Sequence, residues 1–414
     1  MILFPAFLVG NAQRRKKKVV EINPIELAQT EISIRNYPNA VDILNKAIAE
    51  QEKLRKPKYD VDLMQQMIDT LETNILRIRN TKRVVFIDSL VVSKKALFDA
   101  IELSNTVGKV LDATKLTILL KQNFSKLGSA AYINELNDLA YFACCMEGDK
   151  QLLYNSARHG TEWEKPKMVT ILNNKDDAQD YPFMLTDGTT MYYAAQGQDS
   201  YGGWDIFVTR YDYETKTFLK SQNLGMPFNT EANDYFYVID ESINKGYFAT
   251  DRHHGPDSVC IYGFIPSDVH QSYPMDESFD IVKNAAYINS IKSSQIGMEL
   301  DLMKWESAYR QAHRTEQTIS DGIFVINDNI TYTLITEFKN LDAKAIAIEL
   351  NDLYYFRDKS IKLLDKFRNQ YAEQRTTTLY DNILQVEQEF LKSQKRIVAL
   401  EKEMRNLEIQ TLQK

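Results

Sequence analysis

The side chains able to do chemistry are few and scattered. Of 5 histidines, only His253 and His254 are neighbours. Adjacent side chains on a strand point to opposite faces, so this pair is a poor two-ligand metal site unless it lies in a loop. Asp176, Asp177 and Asp180 offer oxygen ligands. They lack the glycine and terminal Glu of a calcium loop and read instead as a polar connection. Cys144, Cys145 and Cys260 form no CxxC pair, which leaves small buried apolar residues as the main reading and a bridge to Cys260 as the alternative. No G-x-S-x-G elbow, H-E-x-x-H helix or Gly-rich phosphate loop occurs. The patterns therefore nominate no catalytic residue, no metal and no cofactor. A hydrolase would need two carboxylates converging on one cavity, which spacing alone does not place.

Binding has better candidates. Arg158-His159 and Arg252-His253 recur after similar strands, Leu153-Tyr154-Asn155-Ser156 and Tyr247-Phe248-Ala249-Thr250. If equivalent, they share one face and form a polar-aromatic rim with Tyr201 and Trp204. The competing reading is structural, each Arg pairing with an acidic neighbour between repeats.

The elements that must position these residues come in three regimes. The chain has 414 residues, with 50 Lys+Arg against 57 Asp+Glu and a net charge of −7. Without an extended basic stripe it is a poor nucleic-acid binder, and no apolar run approaches a membrane span. Residues 1–12 (Ile2 to Gly10 apolar, Ala12 small) read as a secretory signal peptide lacking its basic start, with Arg14 to Lys18 following; an apolar N-terminal strand is the alternative. Residues 24–80 read as helices. Pro24 suits a first turn, and Ala40, Leu44, Ala47 and Ile48 mark one helical face. Leu63, Met67, Leu71 and Ile75 mark another behind an Asp60 cap.

Over residues 82–273 the period becomes two. Short runs rich in Tyr, Phe and β-branched residues are separated by turn pairs such as Asp187-Gly188 and Gly202-Gly203. Asp180-Tyr181, Asp187-Gly188 and Tyr192-Tyr193-Ala194 are echoed 53 to 55 residues later by Asp234-Tyr235, Asp240-Glu241 and Tyr247-Phe248-Ala249. Fixed-period similarity in strands predicts a mainly β propeller of roughly four to six blades, five favoured, flanked by helical N- and C-terminal segments. Residues 274–333 form a mixed segment whose Gly322 to Ile326 and Thr331 to Thr333 offer a closing strand. Asp187, Gly188, Gly202, Gly203 and Asp205 are the structural repeat motif, with repeated aspartates expected to bond backbone amides at turns.

These residues resemble a known repeat. Tyr181-Pro182-Phe183-Met184-Leu185-Thr186-Asp187-Gly188 through Tyr193 resembles the P-x-x-S-x-D-G-x-x-L-Y-F opening of TolB-like (WD-like) propellers. Gly202-Gly203-Trp204-Asp205-Ile206-Phe207-Val208 is similar to their G-G-x-D-I-Y-V strand. Asn223-Leu224-Gly225-Met226-Pro227-Phe228-Asn229-Thr230 is similar to a blade connection common in Bacteroidetes envelope proteins. In those proteins the propeller often follows tetratricopeptide helices, which residues 37–47 resemble, and precedes an OmpA-like domain, which is not seen here. The resemblance covers about Trp163 to Phe264. It implies a periplasmic, envelope-associated chain with protein partners, in the setting of a secretion or envelope assembly.

Residues 334–414 are free of Gly and Pro. Leu379, Ile383, Val386, Phe390, Ile397, Leu400, Met404 and Leu407 form an a/d seam interrupted at Ser393, the pattern of coiled-coil-like helices. Its partner is either the same chain or a second copy in a homodimer. The resulting expectation is a non-enzymatic exported scaffold that binds protein through a propeller face and a helical arm. A glycan- or peptidoglycan-binding propeller and a propeller hydrolase are the alternatives.

Overall fold

The computed structural model describes residues 23–116, 126–145, 150–171, 176–255, 257–267, 271–312, 323–327 and 329–413. The expected signal peptide and the basic run after it lie outside the described residues. No described helix is long and apolar enough to cross a membrane. The chain divides into two compact units, Met1–Arg79 and Asn80–Lys414.

The first unit holds helices α1 (Pro24–Ser33), α2 (Tyr37–Gln51) and α3 (Val61–Arg79). Asn23 caps α1 ahead of Pro24, its side chain accepting from the Ile25 amide. Tyr37, Ala40, Leu44 and Ala47 are buried on α2. On α3 the buried face is Met64, Ile68, Leu71 and Ile78, one residue out of phase with the expected one at its start, and Leu63 points to solvent. The Asp60 carboxylate accepts from the Leu63 amide and so caps α3.

The second unit begins with strand β1 (Val85–Ser93), which finds its partner only much later in the chain. A first sheet follows: β2 (Lys109–Asp112), β3 (Lys126–Ile133), β4 (Leu139–Cys145) and β5 (Leu152–His159), with the short β6 (Glu162–Trp163) and β7 (Lys167–Met168) both on β5. A second sheet contains β8 (Asp176–Met184), β9 (Thr190–Gly197) and β10 (Asp205–Asp212), with β11 (Thr217–Phe218) and β12 (Gln222–Asn223) on its far edge. The third contains β13 (Asp234–Asp240), β14 (Lys245–Thr250) and β15 (Ser258–Ile265), and β1 completes it as the outer strand beside β15. All three are antiparallel meanders.

The sheets pack face to face in chain order. β8 lies against β3, β4 and β5, and β13 lies against β8, β9 and β10. One apolar core runs between them, including Tyr132, Phe183, Tyr193, Phe207, Phe236 and Val238. Tyr132 meets Phe183 edge-on at 5.2 Å, and Tyr192 meets Tyr237 at 4.5 Å. Each sheet is thus hydrophobic on faces that only its neighbours cover.

Three expectations need correction. The described residues hold three such sheets, not four to six, and helix (about 42%) outweighs strand (about 28%). The candidate closing strand is a separate hairpin, β16 (Phe324–Asn327) with β17 (Ile330–Tyr332), and Gly322 lies outside the described residues. Its Phe324, Ile326 and Tyr332 are buried against the C-terminal helices, not against a sheet. Asp176 to Asp180 is not a connection but part of β8.

Between sheet and C-terminus run α4 (Phe279–Ala286), α5 (Ile291–Ser294) and α6 (Glu299–Ala312). The Trp305 indole of α6 donates to the Asn244 carbonyl at 2.8 Å, tying this helix to the turn before β14. The last elements, α7 (Leu341–Gln374) and α8 (Thr377–Leu412), form a long hairpin. α7 ends where Arg375 turns left-handed, and Thr376 caps α8. Val386, Ile397, Leu400 and Met404 of the expected seam are buried, and Leu379, Ile383 and Leu407 are half-buried in the same cores. Phe390 is half-buried beside them. The seam's partner is α7 of the same chain.

Candidate functional site

Most sequence-nominated residues prove to be joints of the sheets. Asp187 occupies the β8–β9 turn, where one carboxylate oxygen accepts from the Thr189 and Thr190 amides at 2.7 and 2.8 Å. Gly188 follows it with φ 65°, a conformation that costs glycine little. Gly202 and Gly203 lie where the β9–β10 loop touches the chain leading to β13. A Cβ on Gly202 would overlap the Glu231 backbone, and one on Gly203 would overlap Asn233 Oδ1. Asp205 starts β10 fully buried; its Oδ2 accepts from the Tyr201 amide at 2.8 Å and Asn223 Nδ2 at 2.7 Å. Its Oδ1 is buried without a hydrogen-bond partner. Burial, with a smaller contribution from the Asp234 charge, pushes its carboxyl up to about 7.

The proposed rim does not assemble. Arg158 sits on β5, the fourth strand of its sheet in chain order, whereas Arg252 follows β14, which lies between β13 and β15 in its own. The two segments look alike because Tyr- and Ala-rich strands repeat, but they hold different places. Arg158 lies over the Trp163 ring at 5.6 Å, and exposed His159 contacts Glu164 at 2.9 Å. Arg252 is buried: its Nη2 donates to Asp234 Oδ1 at 2.7 Å and Phe228 O at 2.6 Å, and its Nη1 to Pro227 O at 2.8 Å. That is the structural alternative, an arginine bolting the connection from the second sheet onto the third. His253 is exposed in the β14–β15 loop with φ 65°. No group of three or more metal-ligating side chains occurs among the described residues. The three cysteines are free and buried, so no bridge joins Cys144 or Cys145 to Cys260.

A different cluster gathers around Tyr181. A bulge interrupts β8 between Asp180 and Phe183, and Tyr181 there takes φ 53°. For a bulky residue before proline this is a strained conformation, costing on the order of 1–3 kcal/mol. Neighbouring Asp180 holds it in place. Its buried carboxylate accepts from the Ser129 amide at 2.6 Å, the Ala130 amide at 3.2 Å and Tyr181's own amide at 2.8 Å, pinning β8 to β3. The Tyr181 ring then meets Tyr235 at 5.5 Å, Trp204 at 6.4 Å and Phe98 at 6.4 Å. These rings come from the second sheet, the third sheet and the segment after β1. Tyr181, Trp204 and Phe98 are half-buried and pack against the edge of the main core.

A polar network borders the rings. Tyr235 Oη donates to Asp251 Oδ2 at 2.6 Å and accepts from Lys94 Nζ at 2.7 Å. Asn233 donates twice to Asp251, and its Oδ1 accepts from the Trp204 amide at 3.1 Å. Burial works to raise the Asp251 carboxyl, but hydrogen bonds from Tyr235, Asn233 and Lys94 outweigh it and hold it below the usual range. Burial, then the Asp251 bond, raises the Tyr235 phenol. Tyr235 therefore stays protonated and acts as a hydrogen-bond donor. The arrangement suits contact chemistry: flat apolar rings beside a fixed cation and anion.

Trp204 is the one member of this cluster that the sequence nominates; Phe98, Tyr181, Tyr235 and Lys94 are not singled out as a site. The signal is the paired Asp180-Tyr181 and Asp234-Tyr235, which reads as a repeat rather than as two rings brought together. Comparison with known proteins finds no matching family model, no matching curated protein and no matching solved structure.

Proposed function

We propose that this chain is a non-enzymatic, exported envelope protein that works as a protein-binding scaffold. On this reading the three sheets are blades of a short TolB-like propeller, the face carrying Tyr181 and Trp204 is the docking surface, and the α7–α8 hairpin is a projecting arm. The observation that carries the binding role is the strained, half-buried Tyr181 ring held among Phe98, Trp204 and Tyr235. Strain kept at a partly open aromatic cluster favours recognition over packing. Three of the buried carboxylates speak against hydrolysis, since Asp180, Asp234 and Asp240 spend their oxygens on amides, hydroxyls and Arg252, and Asp205 alone of these aspartates keeps an oxygen without a partner. Envelope location rests on the sequence resemblance alone.

The test is capture from the native envelope by the wild type and by Trp204→Ala and Phe98→Ala variants. A centrally placed aromatic anchor is worth about 2 kcal/mol, or roughly thirtyfold in affinity. Loss of a specific protein by both variants, with melting temperature nearly unchanged, supports the docking surface. Equal capture by all three rejects it, and loss of bound glycan instead of protein transfers the face to sugar recognition.

A further inference from the structure

A cavity between the third sheet and α6 is bordered by two charges of opposite sign that nothing in the described chain neutralises. Its volume is about 450 Å³, within the range of small-ligand sites. Much of its lining is apolar. Val85 of β1 and Ile265 of β15 stand opposite each other in register, and Met298 and Trp305 join them from the side of α6. The Trp305 indole is held in place by its bond to the Asn244 carbonyl.

Arg83 borders the cavity just ahead of β1. Its backbone is tied down, the amide donating to the Gln271 carbonyl at 2.8 Å. The half-buried guanidinium donates to the Ile296 carbonyl at 3.3 Å and lies over the Tyr273 ring at 5.5 Å. No acidic side chain among the described residues pairs with it. Asp301, in the first turn of α6, lines the same cavity. Its carboxylate has neither an ion pair nor a hydrogen bond among the described residues. The third charge in the lining, Lys304, is already met by Glu389 of α8 at 3.3 Å. One cation and one anion thus border a shared space without pairing with each other. A guanidinium offers a planar fork that fits a carboxylate bidentately, and a carboxylate accepts from an ammonium.

We propose that this cavity binds a small zwitterion with an apolar side chain, an amino acid or short peptide with both ends free. Its carboxylate pairs with Arg83, its ammonium with Asp301, and its side chain lies on Val85, Ile265 and Trp305. A ligand with only one of the two charges covers the other residue without pairing it, so both ends are required. The site shares no residue with the Tyr181 cluster and stands whatever that cluster binds.

Isothermal titration calorimetry of the full chain with L-leucine and with leucyl-leucine tests this. At least one should bind, and the tighter of the two gives the length of the ligand. Acetylating the amine of that probe, or amidating its carboxylate, should each weaken binding at least about tenfold. Two variants then locate the ends. Arg83→Met should bind the free acid and its amide alike, and Asp301→Asn the free amine and its acetyl form alike. Asp301 is exposed, so its variant should keep the wild-type melting temperature even where Arg83→Met does not. No binding of either probe up to roughly 10 mM, capped forms that bind as tightly as the free one, or caps that still weaken binding to both variants would each overturn the proposal.

Discussion

Asp205 shows how one buried carboxyl couples the sheets to pH. Its Oδ2 closes the Tyr201 loop and holds Asn223, while Oδ1 faces no donor. Burial raises the folded carboxyl to about 7, whereas an unfolded aspartate titrates near 3.9. A folded value above the unfolded one means that the native state binds the extra proton. The stabilisation is therefore complete below about pH 4 and is lost as pH rises to about 7 and beyond. That difference between the folded and unfolded carboxyl is worth on the order of 4 kcal/mol by pH 8. Asp205→Asn keeps an acceptor for Tyr201 and Asn223 and puts an N–H where the proton would sit. The variant should match the wild type near pH 4 and exceed it by a few kcal/mol at pH 8. Urea unfolding at the two pH values measures this, and an equal difference at both would refute it. Arg252 makes the complementary point: a buried guanidinium needs every partner it has, and Asp234 with two carbonyls supplies them.

At the scale of elements, what is legible in the sequence follows periodicity. Strands β4, β9, β10, β13 and β14 are readable from their Tyr, Phe and β-branched runs, and the α8 seam from its alternating fours and threes, because both signals are local. The partner of that seam is not, since an a/d pattern is the same whether α7 or a second copy fills it. The equivalence of Arg158 and Arg252 fails for a related reason: similar strands of the first and third sheets occupy different positions in those sheets. Glu408 escapes a sequence reading altogether. It is fully buried near the end of α8, where Oε1 accepts from Tyr332 Oη at 3.0 Å and the Lys339 amide at 2.8 Å, and Oε2 from the Asn340 amide at 3.0 Å. Nothing in a heptad pattern predicts that one glutamate caps the approach to α7 and holds hairpin β16–β17. Glu408→Ala leaves the buried Tyr332 hydroxyl and the part-buried Lys339 and Asn340 amides without their acceptor, and should cost about 1–3 kcal/mol. Hydrogen exchange should then speed up at β17 and at the first turn of α7, with the sheets unaffected. Protection unchanged at Tyr332 and Ala343 would show that the carboxylate is not the clasp.

For the whole molecule, the decisive contact joins residues far apart in sequence. β1 pairs with β15 from Val85 opposite Ile265 to Ser93 opposite Ser258, so the third sheet cannot be completed until the chain has made the other two. Phe86 anchors this closure. It is 1% exposed and packs on Phe248, Tyr262 and Phe264, with ring centres 5.7 to 6.5 Å apart. The free side of β1 is covered as well: the Phe86 amide donates to Ser294 Oγ at 3.1 Å, and Gln295 Nε2 donates to the Phe86 carbonyl at 2.8 Å. The start of this outer edge is thereby blocked against pairing with other chains, while Leu90 and Val91 further along it are exposed. Emptying this position removes a fully buried aromatic and leaves a cavity, a loss of about 3–5 kcal/mol. Because the three sheets share one core, that loss should fall on all of them as a single cooperative unit. Helices α1 to α3 belong to the other compact unit and should keep their own stability. In Phe86→Ala, hydrogen exchange should accelerate together in β4, β9 and β14, while amides of α2 and α3 keep wild-type protection. Acceleration confined to β15 and its neighbours would mean that the sheets unfold one at a time and that β1 is a local strap, not the closure of the whole.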